Sequence, residues 1–239
     1  MRALRRTEME NEAKRMIEAV IFDMDGLMFD TESLTRDLWN TVGAEMGYSH
    51  VSSVMPETMG VRLNESSGIF LRHFGPDFPY EKFVAEYRRR FDETIETKGV
   101  PVKDGLYDLL ESLRHQGIPC AVASSTSREN VLSYCGRAGV TGYFRKIICG
   151  DMVEKSKPDP QIYLTAAREI GMEPEHCMAL EDSPNGCLAA CRAGMKTVMV
   201  PDQVQPDEAL RSRIFACVAS LRDVIPLLGG RRPGESGER

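Results

Sequence analysis

The chain has 239 residues, enough for one large domain or for a core with a smaller module attached. Hydrophobic residues make up 42% and charged residues 28%, the balance of a soluble globular protein, and a net charge of −6 is a poor electrostatic match for nucleic acid. No apolar stretch approaches the roughly 20 residues of a membrane-spanning helix, so neither nucleic acid nor a membrane is expected as a partner.

Residues 1–15 mix charges, lack the apolar segment of a secretory signal, and read as a flexible extension. Val20-Ile21-Phe22 then forms an apolar run that stops at Asp23-Met24-Asp25-Gly26. A buried strand has no use for a charge unless it reaches a site. Residues 32–98 carry helical spacing only: Leu34, Leu38, Val42 and Met46 mark one helix, Ile69, Phe70 and Phe74 a second, and Phe83, Val84, Tyr87, Phe91 and Ile95 a third. Trp39 and the phenylalanines of this stretch are expected to pack its core. Arg88-Arg89-Arg90 reads as a solvated flank.

Beyond residue 99 strand and helix signals alternate. Leu106, Leu109, Leu110 and Leu113 share a helical face, with Asp104 as the expected N-cap and Gly117 just past the end. Ile118 to Ala123 reads as a strand ending at Ser124-Ser125-Thr126. A helix follows over about 128–138, then a short strand, Ile147-Ile148-Cys149, ending at Gly150-Asp151. Pro160 to Ile170 is the next helix, and Met178-Ala179-Leu180 leads to Glu181-Asp182. A helix from about Pro184 to Ala193 and a strand over Thr197 to Val200 complete the pattern, and residues 229–239 read as a disordered tail.

Strands alternating with helices of this length predict βαβ units and a mainly parallel sheet. The expected fold is an α/β, Rossmann-like parallel-sheet core (residues 16–31 and 99–228) with an inserted all-helical cap (32–98). In such sheets ligands bind beyond the carboxyl ends of the strands, where Asp23, Ser124, Asp151 and Asp182 all fall. Seven cysteines without a C-x-x-C pair fit small core side chains in a reducing, cytoplasmic setting. Cys187 and Cys191, near His176 and Cys177, lack the paired-ligand pattern of a zinc site.

The chemistry concentrates in a few positions. Asp23 suits a nucleophile or a ligand for a hard cation such as Mg²⁺. Asp25 can reach a leaving oxygen if the chain turns sharply, which Gly26 permits. Ser124 at a strand end and Lys157, in a loop fixed by Pro158 and Pro160, suit a phosphoryl oxygen and its charge. Glu181 and Asp182 complete a metal site ahead of a helix N-terminus.

Taken together, Asp23-Met24-Asp25-Gly26, Ser124, Lys157 and Glu181-Asp182 resemble, in order, the four motifs of the haloacid dehalogenase superfamily of phosphohydrolases, over about residues 17–225. Phe29-Asp30-Thr31-Glu32, Lys155-Ser156-Lys157-Pro158-Asp159-Pro160 and Leu180-Glu181-Asp182-Ser183-Pro184-Asn185-Gly186 resemble the branch of β-phosphoglucomutase-like proteins and sugar-phosphate phosphatases. The resemblance implies that Asp23 attacks phosphorus and that Asp25 serves as acid, then base. It implies that Mg²⁺ is held by the Asp23 carboxylate, the Asp25 main-chain carbonyl and Asp182, with Glu181 supporting. It implies that Ser124 and Lys157 hold the phosphoryl group; from the position of the insertion, the cap is expected to close over the site and exclude bulk water.

The β-phosphoglucomutases carry a cap histidine five residues after the Asp of their Asp-Thr pair; here that place is Thr35. Their arginine after a Gly-Val pair also falls one position away, since Gly60-Val61 is followed at once by Arg62. Both departures point to water as acceptor. The expected function is Mg²⁺-dependent hydrolysis of a small phosphorylated metabolite, a sugar phosphate in kind, by a monomer. Glu32, Arg62 and Asn64 are the expected substrate contacts in the cap. A phosphomutase is the alternative, and a catalytically idle binding domain on the same fold is the remote one.

Overall fold

The structure, a computed structural model, describes residues 17–58 and 66–229. The chain divides into two compact units, Met1–Phe29 with Val102–Arg239, and Asp30–Pro101.

The first strand, β1 (Ala19–Phe22), is buried along its whole length, as four consecutive apolar residues require of a strand with neighbours on both edges. The chain then enters the helical unit, with α1 (Thr31–Glu45), a 3-10 turn at Val51–Val54, the single turn α2 (Met55–Thr58), α3 (Ser67–Phe74) and α4 (Tyr80–Lys98). Trp39, Phe70, Phe78 and Phe83 are buried together with Val42, Val51 and Val54. The rings meet edge-on or tilted, with centroids 5.1 Å apart for Trp39–Phe70 and 5.5 Å for Phe70–Phe83. Such pairs add about 0.5–1.5 kcal/mol beyond their area, which suits a unit too small for a thick aliphatic core.

The helical spacing predicted α1, α3 and α4; the turns over 51–58 are too short to show a period. Arg89 pairs with Glu86 and Glu93, while Arg90 pairs with Glu86 and Glu45. Glu32 stands half-exposed in the first turn of α1. Arg62 and Asn64 lie outside the described residues. The two ends of the unit meet: the Asp30 N–H donates to the Pro101 carbonyl at 2.8 Å.

The chain continues through α5 (Leu106–Gln116), β2 (Cys120–Ala123), α6 (Arg128–Arg137), β3 (Phe144–Ile148), α7 (Gln161–Ile170), β4 (Cys177–Glu181), α8 (Pro184–Arg192), β5 (Lys196–Met199), α9 (Glu208–Arg211) and β6 (Ala216–Cys217). All strand pairs are parallel, in the order β3-β2-β1-β4-β5-β6. Ile162, Tyr163, Ala166 and Ile170 of α7 and Ala189 and Ala190 of α8 pack on one sheet face against Ile21, Ala121 and Ala179.

Two expectations need correction. Asp104 is not the N-cap of α5. Gly105 holds that place with φ 82°, and a side chain there would run into the main chain of Arg222; close approach and a left-handed entry select glycine over a capping aspartate. The strand read as Ile147–Cys149 begins at Phe144. Arg145 and Lys146 are exposed on this edge strand, and edge charges that keep a sheet from pairing further also hide it from a hydrophobic pattern.

β1 lies where the strand order reverses, with β2 and β3 on one side and β4 to β6 on the other. That switch point opens a crevice beyond the carboxyl ends of β1 and β4. Asp23 and Asp25 follow the first of these strands, and Glu181 ends the second.

Trp39 is the chain's one tryptophan and reports on the helical unit. Phe70→Ala should destabilise that unit by about 3–5 kcal/mol, read as a fall in the urea midpoint of Trp39 fluorescence; an unchanged midpoint would show that the aromatic cluster does not hold the unit together.

Candidate active site

Register brings the acids together. Phe22 pairs with Leu180 across β1 and β4, and the Asp23 N–H donates to the Leu180 carbonyl at 3.0 Å, so Asp23 lies beside Glu181 at the strand tips. Asp23, Glu181 and Asp182 are all buried, and each offers a carboxylate oxygen within 4.8 Å of the others.

Lys157 reaches this cluster from the loop ahead of α7. Its Nζ donates to Asp23 Oδ1 at 2.5 Å, to Glu181 Oε1 at 2.6 Å and to the Ala123 carbonyl at 3.0 Å. These three shortest contacts match the three donors of an ammonium, and the Tyr163 hydroxyl lies farther off at 3.4 Å. Tyr163, fully buried on α7, donates its hydroxyl to Glu181 Oε1 at 2.7 Å and places its ring under the Lys157 ammonium, 4.9 Å from the ring centre.

The other oxygen of Glu181 accepts from the Asp182 N–H at 3.1 Å, the Ser183 N–H at 3.3 Å and the Ser183 hydroxyl at 3.1 Å. Ser183 caps α8 by accepting from the Gly186 N–H. A methyl on Gly186 would overlap the Glu181 carboxylate, so glycine in that helical turn is what lets the acid lie against it.

Asp25 is held differently. Gly26 turns the chain with φ 80°, and the Thr126 hydroxyl donates to Asp25 Oδ2 at 2.7 Å. Ser124, also buried, accepts the Thr126 N–H at 3.1 Å, so the loop after β2 carries Ser124 and the anchor of Asp25 in one short run. Asp151 does not join the cluster; it is exposed and caps the start of α6 through the Arg128 N–H.

The charges do not balance without help. Burial raises the Asp23 carboxyl from 3.8 to about 8 against the pull of Lys157, with Glu181 adding to the rise. Burial also acts to raise Glu181, but Lys157 and the hydrogen bonds from Tyr163 and Ser183 outweigh it and hold the group below its ordinary range. Burial works to lower Lys157, and its two carboxylates raise it instead. Three buried carboxylates around one ammonium are short of positive charge, and every donor atom is a hard oxygen. A hard divalent cation meets both conditions.

The sequence pattern did not single out Tyr163, Thr126 or Asp202. Asp202 had a usable signal, since it follows the apolar end of β5 as Asp23 follows β1. Tyr163 had none, because on α7 it reads as one more core aromatic.

A parallel sheet with an acid set at its switch point, one shared lysine and a helical unit inserted after the first strand define an α/β protein with a buried acidic site. A family model described as haloacid dehalogenase-like hydrolase matches residues 20–200, and the chain belongs to that family. It is 34% identical to Protein CbbY of Cereibacter sphaeroides, over 90% of this chain and 95% of that one. It is 31% identical to the phosphorylated carbohydrates phosphatase of Thermotoga maritima, over 89% and 90%. Among solved structures, an HAD family hydrolase from Deinococcus radiodurans with bound phosphate and sodium superposes with a TM-score of 0.76 at 26% identity, covering 92% of this chain and 99% of that one. No helix of the described residues is long and apolar enough to cross a membrane.

The raised Asp23 has a signed consequence. Between 3.8 and about 8 the folded protein keeps a proton that the unfolded chain has released, so rising pH favours unfolding across that window. Urea unfolding with chelator present should show the wild type losing stability relative to Asp23→Asn as pH rises from 4.5 to 8; a flat or rising difference would contradict it. The lowered Glu181 acts with the opposite sign, at the acid end of this range.

Proposed function

We propose that the chain is a Mg²⁺-dependent phosphatase acting on a small phosphorylated metabolite, a sugar phosphate in kind, through an aspartyl-phosphate intermediate. The observation that carries this is the Asp23–Lys157–Glu181 arrangement, in which a buried carboxylate at a strand tip shares one ammonium with a second acid. Family membership and the kind of activity named for the Thermotoga maritima relative support the reading.

In this reading one oxygen of Asp23 attacks phosphorus, the bond to the leaving oxygen breaks, and Asp25 donates the proton that oxygen needs. Asp25, now a carboxylate oriented by Thr126, takes a proton from water as that water attacks phosphorus, and inorganic phosphate leaves with Asp23 restored. Ser124 and Lys157 hold phosphoryl oxygens; the ammonium already beside Asp23 keeps its place when that side chain is esterified. Glu181 acts through Lys157, which it fixes from the opposite side. Asp23, Asp182 and the main-chain carbonyl of Asp25 would hold Mg²⁺, with Glu181 behind them, and the ion would supply charge neutralisation at the phosphoryl group.

Water rather than a sugar hydroxyl is favoured as acceptor by Thr35. Its hydroxyl is 3.1 Å from that of Tyr87, at the place where the β-phosphoglucomutases carry histidine. The helical unit, entered directly after the turn that carries Asp25, is the element to which substrate choice is assigned, with Glu32, Arg62 and Asn64 as its candidate contacts. The chain is taken to work as a cytoplasmic monomer.

A panel of phosphorylated metabolites with Mg²⁺ should release inorganic phosphate, and Asp23→Asn should lower that turnover by about three orders of magnitude or more. Undiminished turnover would reject Asp23 as nucleophile. With β-glucose 1-phosphate and a trace of the bisphosphate, glucose 6-phosphate as product would make the enzyme a mutase.

A further inference from the structure

A second acid stands behind the proposed metal ligand. Asp202, three residues past β5, has a side chain only 8% exposed, and its carboxylate lies within 4.8 Å of that of Asp182. Both acids converge on Gly26: a methyl there would overlap Asp182 and lie 3.4 Å from Asp202 Oδ2. Asp202 Oδ1 accepts from Lys103 Nζ at 2.7 Å, and Oδ2 accepts from the Gln203 amide at 3.0 Å.

Lys103 is fixed by its own backbone. Its N–H donates to the Met28 carbonyl at 2.9 Å, and the preceding Val102 forms a bridge with Phe29, so the lysine is attached to the turn that begins at Asp25 and Gly26. One charge of the pair thus sits on the loop after β5 and the other on the segment beside the first motif. Neither is among the motif residues of the proposed mechanism.

We propose that Lys103 and Asp202 are positioning residues that set the metal affinity of the site through a balanced pair of opposite charges beside Asp182. The proposal rests on the reading of Asp23 and Asp182 as metal ligands. Partly buried charges act on one another with little screening, and groups behind a ligand commonly shift metal affinity by about 10–100-fold. The two members therefore pull in opposite directions. Asp202 draws a cation towards Asp182, and Lys103 opposes it; together they nearly cancel. A pair that served only to fasten the two loops would behave otherwise, since cutting it from either side would loosen the site in the same way.

The test is Mg²⁺ binding to the substrate-free, full-length protein by titration calorimetry, with chelator-treated wild type, Asp202→Asn, Lys103→Met and the double variant. Asp202→Asn removes a negative charge beside Asp182 and should weaken Mg²⁺ binding by about tenfold; Lys103→Met removes a positive charge and should tighten it by about three- to tenfold; the double variant should return close to wild type. Shifts of the same sign in both single variants, or affinities within about twofold of wild type, would overturn the proposal. Should Asp202→Asn fail to fold by circular dichroism, Lys103→Met decides alone, since tightening supports the balance and anything else defeats it. A wild-type protein that binds no Mg²⁺ would defeat the metal reading itself, an outcome separate from wild-type binding that the variants fail to shift as described.

Discussion

One buried ammonium organises this protein. Lys157 has three protons to give and spends them on the nucleophile candidate, on the acid ending the neighbouring strand, and on the main chain of the strand on the other side of β1. An unpaired charge in that environment would cost several kcal/mol, and so would either carboxylate without the lysine. Each partner is therefore a condition for the others. The strand order that sets β1 between β2 and β4 makes the arrangement reachable, because Ala123, Asp23 and Glu181 then stand side by side at the carboxyl end of the sheet.

The surrounding glycines and hydroxyls serve the same end. Gly186 lets a helix turn lie against Glu181, and Gly26 lets the first loop pass Asp182. Ser183, Tyr163 and Thr126 each use a hydroxyl to fix a carboxylate, with bonds in which the acceptor carries charge. Such bonds contribute roughly 1.5–3 kcal/mol each when buried, more than an exposed pair such as Arg89–Glu93 contributes. The polar groups of the site hold one another in place, while the helical unit is packed ring against ring.

Much of this was legible before any coordinates. Asp23, Asp182 and Ser124 stand out because charge or polarity terminates apolar runs, Lys157 because prolines fix its loop, and alternation of strand and helix places the strand-end groups at one end of a sheet. The partners that orient them were not legible. Tyr163 shares a helical face with Ile162, Ala166 and Ile170, and nothing in that spacing separates a phenol bonded to an acid from one packed for its ring. Lys103 looks like an ordinary surface lysine until Asp202 is set beside it, across 99 positions of sequence. The charged residues early in β3 hide its start from a hydrophobic pattern, and aspartate is a commoner cap than the glycine of α5 only where no other segment intrudes.

The separation between Lys157 and Asp23, 134 positions, bears on how the chain is made. During synthesis β1 leaves the ribosome well ahead of its partner, carrying an acid that its final surroundings would bury, and the lysine that answers it emerges 134 positions later. Until then the strand tip must remain wet. The helical unit needs no such delay, since every ring in its core lies between Trp39 and Phe91. The order of emergence thus favours an early helical bundle and a sheet that closes last around its own charges.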